Sequence, residues 1–153
     1  DEAYAFVRLG RNLERADMST RIIDVRSATL LSEIESELPA FSNIQWMGVL
    51  KSMTAYQMYR REVRVRINRE DVLTFLLTNP RFPRSLVHAI EQIERAVTEL
   101  PNSKDTVDKT SRVKSYLLNA KPATLKQEKL HEFIDDMQLG LIEIDKQIEE
   151  SYF

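Results

Sequence analysis

The chain of 153 residues contains no cysteine. Thiol nucleophiles, disulfides and cysteine-based zinc sites are therefore excluded, and the composition suits a reducing compartment. Only two imidazoles are present, His88 and His131, and they lie on different predicted helices with no HExxH pattern. A histidine-rich metal site has no basis, and the two Glu-x-x-His motifs of a di-iron bundle are not both present. Charge of one sign is also lacking: the net charge is −2 and the pI about 5.8, which disfavours a globally basic nucleic-acid binder. No apolar run approaches the ~20 residues that span a bilayer. Three glycines and five prolines leave few interruptions, so long regular elements are expected. The length suits one domain that buries roughly 70% of its unfolded surface.

What is present is mostly a 3.6-residue period. The first helix is expected from about Glu2 to Leu31, burying Phe6, Leu9, Leu13, Ala16, Thr20, Ile23, Ser27 and Leu30. A second stripe, Met18, Ile22 and Val25, is expected to widen that buried face. Pro39 breaks the chain. A second helix, capped at Ser42, is expected to run through Trp46, Met47, Val49, Leu50, Met53, Tyr56, Met58 and Tyr59. Its apolar residues point nearly all round, which predicts a central helix. Val63, Val65 and Ile67 alternate with charges, but no second strand is available, so a helix end and a short extended link are expected.

Asn68 reads as the N-cap of a short third helix, with Asp71 as its capping-box partner, stopped by Asn79-Pro80. Pro83 fits the first turn of a fourth helix with the seam Leu86, Ile90, Ile93, Val97 and Leu100. A fifth helix is expected from about Ser103 to Asn119. Pro122 and a Thr124-x-x-Gln127 capping box open a sixth, with the seam Leu130, Ile134, Met137, Leu141, Ile144 and Ile148. The expected fold is all-α, an antiparallel, up-and-down-like bundle of about six helices in one domain over residues 1–153.

Two charged groups stand out. In the first, Arg8, Arg11, Glu14 and Arg15 lie along the first helix beside its apolar stripe. Unpaired charges there would be expensive, so an inward-facing paired network is expected, with Gly10 marking a close approach by another element. Functionally, these arginines suit bidentate recognition of a carboxylate or phosphate. The second group is Arg60, Arg61, Arg64, Arg66 and Arg69, with Arg81 and Arg84 across the next turn. It suits an anion site, an acidic partner surface or RNA. No aromatic-interleaved RNA motif accompanies it. An enzyme reading would use Glu14, Tyr56 or His88 for proton transfer, but no nucleophile motif accompanies them. The residues weigh against catalysis and name no cofactor, metal or catalytic residue. Leu13-Glu14-Arg15-Ala16 is echoed by Ile93-Glu94-Arg95-Ala96.

The segment Leu9-Gly10-Arg11-Asn12-Leu13-Glu14-Arg15-Ala16-Asp17-Met18 resembles the ER-motif segment of the Alpha-E family, bacterial helical proteins of unknown function. A second block agrees: Tyr59-Arg60-Arg61, Val72 to Leu77, and Arg81-Phe82-Pro83-Arg84-Ser85. The resemblance implies a helical cytoplasmic protein of which this chain is the C-terminal half. It further implies association with ATP-grasp ligase-like or transglutaminase-like proteins, and so an accessory or partner-binding role in peptide or amide-bond synthesis. A homo-oligomer is a further expectation, through apolar surface left by the absent half.

Overall fold

The computed structural model describes residues 1–34, 39–63 and 66–153, the side chains of 29–34 and 39–41 excepted. Among the described residues there are seven α-helices and no strand: α1 (Glu2–Ile34), α2 (Pro39–Ser52), α3 (Tyr56–Glu62), α4 (Arg69–Thr78), α5 (Leu86–Thr98), α6 (Lys104–Ala120) and α7 (Gln127–Tyr152). A short 3-10 turn, Pro122–Thr124, precedes α7. The all-α reading holds. No described helix is long and apolar enough to cross a membrane.

Four helices form a closed ring in which α1 packs on α5, α5 on α6, α6 on α7 and α7 back on α1. Cross-links fix the directions. Arg8 pairs with Glu99 and Ser19 donates to the Arg84 carbonyl, so α1 and α5 are antiparallel. Lys109 meets Glu143 and Tyr116 meets Asp136, so α6 and α7 are antiparallel. Phe6 packs edge-on against Tyr152 while Gln127 reaches Ser27, so α7 and α1 are antiparallel as well. The expected seams of α5 and α7 are buried along their whole length. Such alternating three- and four-residue spacing keeps one face on a nearly parallel neighbour.

The second predicted helix is instead two helices, because the chain closes α2 with a left-handed residue at Thr54 (φ 54°). The amide of Ala55 donates to the Leu50 carbonyl at 2.7 Å and that of Thr54 to Lys51 at 3.0 Å, a Schellman arrangement. Pro39, expected as a break, is the first residue of α2, and Ser42 lies inside it. The central position goes to α5, which buries Leu86, Val87, Ala89, Ile90, Ile93, Ala96 and Val97 and touches α1, α4 and α6. Asn68 caps α4 as expected, its Oδ1 accepting from the Asp71 amide at 2.9 Å. The cap of α5 is Ser85, which accepts from the His88 amide, so Pro83 sits in the preceding turn. The Thr124 hydroxyl donates to the Lys121 carbonyl instead of forming a capping box, and Lys126 occupies the N-cap of α7.

The second stripe of α1 is not part of the core. Met18 is 54% and Val25 64% exposed, and Ile22 is half-buried. Leu9, Ala16 and Ile23 point inward together with Asn12, Ser19, Thr20 and Ser27. Most of these buried polar groups are served nearby: Asn12 Nδ2 donates to the Arg8 carbonyl, Thr20 to the Asp17 carbonyl and Ser27 to the Asp24 carbonyl, while Asn12 Oδ1 has no partner among the described residues. Short polar side chains with local acceptors can thus replace aliphatic ones at a helix contact.

Candidate functional site

Glu14 and Arg15 were expected to face inward, and the structure overturns this. Both are exposed, as is Arg11, and none of the three side chains forms a hydrogen bond or ion pair among the described residues. The cause is the rotation of α1. Its inward face is centred on Leu9, Asn12, Ala16, Ser19 and Ile23. Glu14 lies two residues from Ala16, about 200° round the helix, and so points away from the bundle. Gly10 marks no close approach either, since a Cβ built there would have nothing within 4 Å. Of the cluster, only Arg8 is engaged. Its Nη1 lies 2.7 Å from Glu99 Oε1, and its guanidinium stands over the Tyr4 ring.

The second arginine group divides between structure and surface. Arg69 is half-buried and donates to the carbonyls of Ala123 (3.3 Å) and Leu125 (2.7 Å), which ties α4 to the turn before α7. Burial lowers its pKa, against the opposing pull of Glu70. Arg64 and Val65 lie outside the described residues. Arg60, Arg61, Arg66 and Arg84 are exposed, without an ion pair among the described residues. Arg81 is exposed and loosely paired with Glu62 at 3.6 Å.

The aromatic residues beneath them are core. Phe82 stacks on Phe75 at 4.9 Å, and Phe75 meets Tyr59 edge-on at 5.4 Å. Burial, with Asp71 contributing, pushes the Tyr59 hydroxyl up to about 12. Polar contacts join the segments that carry the free arginines. Glu62 accepts from Asn79, Asn79 Oδ1 accepts from the Arg81 amide, and the Arg84 carbonyl accepts from Ser19, one turn beyond Arg15. Arg60, Arg61 and Arg81 are thus carried by segments joined through Glu62 and Asn79, and Arg84 and Arg15 by segments joined through Ser19.

Two polar groupings were not anticipated. Glu94, in the second copy of the tetrapeptide pattern, accepts from Ser111 Oγ at 2.6 Å and from Lys114 Nζ. Burial alone would raise its pKa, but the hydrogen bonds from Lys114 and Ser111 and the ammonium charge outweigh it and hold the carboxyl below its ordinary value. The echo of Leu13-Glu14-Arg15-Ala16 was the available signal for this glutamate. The other grouping is Asp24, His131 and Asp135, whose ligand-type atoms lie within 4.8 Å of one another. No signal in the sequence joins residues 107 apart. His131 Nδ1 is 2.7 Å from Asp24 and Nε2 is 3.5 Å from Asp135. Each ring nitrogen already faces a carboxylate, so the arrangement is explained as a histidine clamp between α1 and α7. The Asp24 hydrogen bond, then the charges of Asp24 and Asp135, raise the His131 pKa.

The surface carries open grooves, one between α6 and α7 lined by Lys109, Tyr116, Asp136, Leu139 and Glu143, and one by Asp71, Phe75, Asn79 and Arg81. Glu14, Tyr56 and His88 line neither. Tyr56 has Lys51 over its ring, and His88 Nδ1 is 2.8 Å from the Pro80 carbonyl. The structure thus does not bring the three proton-transfer candidates into either groove.

No curated protein and no solved structure matches the chain. A family of known description does match: Alpha-E, a predicted alpha-helical domain with a conserved ER motif, over residues 1–153. With an all-helical bundle and an outward Glu14-Arg15 pair on its longest helix, the chain belongs to the Alpha-E family.

Proposed function

We propose that this domain is a non-catalytic binding module. It works in the cytoplasm beside an ATP-grasp-type ligase or transglutaminase-like protein in peptide or amide-bond synthesis. Its arginine edge, Arg15, Arg60, Arg61, Arg81 and Arg84 with Arg11 alongside, receives an acidic surface of that partner or an anionic group on it. The observation that supports this reading is the set of exposed guanidiniums, without ion-pair partners among the described residues, at Arg11, Arg15, Arg60, Arg61 and Arg84. An exposed arginine keeps its fork of donors free, and a carboxylate or phosphate matches that fork in two parallel hydrogen bonds. Structural arginines in the same chain look different: Arg8 and Arg69 are half-buried and committed to Glu99 and to backbone carbonyls.

The test is calorimetric titration of the purified domain with an ATP-grasp-type ligase of the same host. Binding is expected, and charge reversal by Arg60→Glu with Arg61→Glu, or Arg15→Glu with Arg84→Glu, should weaken it about tenfold or more. Absence of binding, or unchanged affinity in both double variants, refutes the reading.

A further inference from the structure

The outer face of α1 carries a second, exposed heptad seam. Positions 4, 11, 18 and 25 are Tyr, Arg, Met and Val, and positions 7, 14, 21 and 28 are Val, Glu, Arg and Ala. All eight are exposed, and Tyr4, Val7, Met18 and Val25 are each more than half exposed. The seam runs about 36 Å at 1.5 Å per residue. Its large apolar side chains, Tyr4 and Val7 at one end and Met18 and Val25 at the other, flank a charged middle, and such a helical seam is the surface that a second helix covers in a coiled coil.

We propose that this face is a dimer interface, in which α1 packs antiparallel against α1 of a second copy, with Glu14 of each copy against Arg21 of the other. Self-complementarity selects that occupant. Antiparallel pairing of the two rows sets Val7 opposite Val25, Tyr4 opposite Ala28, and Met18 opposite the aliphatic stem of Glu14. The Glu14 carboxylate then lies one turn from Arg21 of the second copy, and the two-fold axis makes this contact twice. Arg11 comes opposite Arg21, and Asp17, 2.8 Å from Arg21, joins the Glu14 carboxylate in offsetting the two guanidiniums. A parallel pairing would set Glu14 beside Glu14 and Arg11 beside Arg11, placing like charges at each polar layer.

The chain also shows how it uses such a glutamate once a helix covers it. In Ile93-Glu94-Arg95-Ala96, Glu94 takes a basic residue, Lys114, and a hydroxyl from the covering helix α6. Glu14, in the matching tetrapeptide, has no such helix over it among the described residues, and Arg21 of a second copy supplies the missing cation. The interface requires no anionic partner, so its test is separate from that of the arginine edge.

The experiment is sedimentation velocity across a micromolar concentration series, with circular dichroism melts confirming that each variant folds. The wild-type chain should dimerise. Glu14→Arg and Arg21→Glu should each weaken the dimer about tenfold or more, by placing like charges at both crossings. An equimolar mixture of the two variants should dimerise again, because both crossings then carry opposite charges. Met18→Glu, at an exposed position, should abolish the dimer without altering the melt. The proposal is overturned by a wild-type chain that stays monomeric, by a dimer that none of the three variants weakens, or by a mixture no tighter than its components.

Discussion

Replacing Lys114 with methionine should expose how much the Glu94 grouping holds α5 to α6. The side chains of Glu94 and Lys114 are 22% and 26% exposed, so the pair is neither a surface bridge nor fully buried. Exposed pairs contribute about 0–1 kcal/mol, and breaking buried ones costs about 3–5. An intermediate loss of about 2 kcal/mol follows for Lys114→Met, which leaves the carboxylate with Ser111 alone. Glu94→Gln should lose less, about 1 kcal/mol, because the lysine can reach water along its flexible stem. The double variant should fall short of the sum by about 1 kcal/mol, the coupling between the two groups.

The pH dependence has a fixed sign. The folded pKa of Glu94 lies below its ordinary value of 4.5. Its contribution is therefore complete above that value and is lost as pH falls through the folded value. Urea unfolding of the four proteins at neutral pH, repeated down an acid series, measures both quantities. Strict additivity, or an acid series in which the wild-type protein gains stability from this pair as pH falls, refutes the reasoning.

Thr54→Gly should stabilise the protein by about 0.5–1 kcal/mol, since a β-branched residue at φ 54° bears strain that glycine does not. Thr54→Ala should not do so, and calorimetric melts separate the two. Arg69→Met strips the Ala123 and Leu125 carbonyls of their donor and should cost about 1–3 kcal/mol by urea unfolding. The His131 ring should titrate above 6.5 by NMR, and Asp24→Asn should bring its pKa down. Because that folded pKa is raised, the clamp should stabilise fully at pH below 6.5 and fade as pH rises through the folded value.

Elements whose apolar residues all face one way were readable in the sequence. The seams of α5 and α7 and the Asn68 cap of α4 depend on local spacing and local chemistry, and they lie where the pattern puts them. The main stripe of α1 was readable, and Leu9, Ala16, Thr20, Ile23 and Ser27 are buried as expected, but the width of the buried face was not, because a second stripe competed. Met18 and Val25 are more apolar than Asn12 and Ser19, yet the polar pair is buried. Ser19 is held by the Arg84 carbonyl, 65 residues away, and no local rule anticipates that contact. The break after α2 escaped for a related reason: threonine is a poor candidate for a left-handed cap, and helical spacing continued on both sides of it. The arginine groups were visible as composition, but which guanidiniums are free and which, like Arg69, hold backbone carbonyls depends on how α4 meets the turn before α7.

The outward orientation of the Glu14-Arg15 pair underlies both the binding reading and the dimer interface. A cysteine-free chain allows a direct check, because a single introduced thiol reports only its own position. Thiol modification of Glu14→Cys and Ala16→Cys should be compared at concentrations low enough for the chain to be monomeric. The thiol at position 14 should react at the rate of an unfolded peptide, and the thiol at position 16 about a hundredfold slower, limited by local opening. Equal protection at both positions would mean that α1 holds its glutamate inside the bundle, contrary to the orientation described.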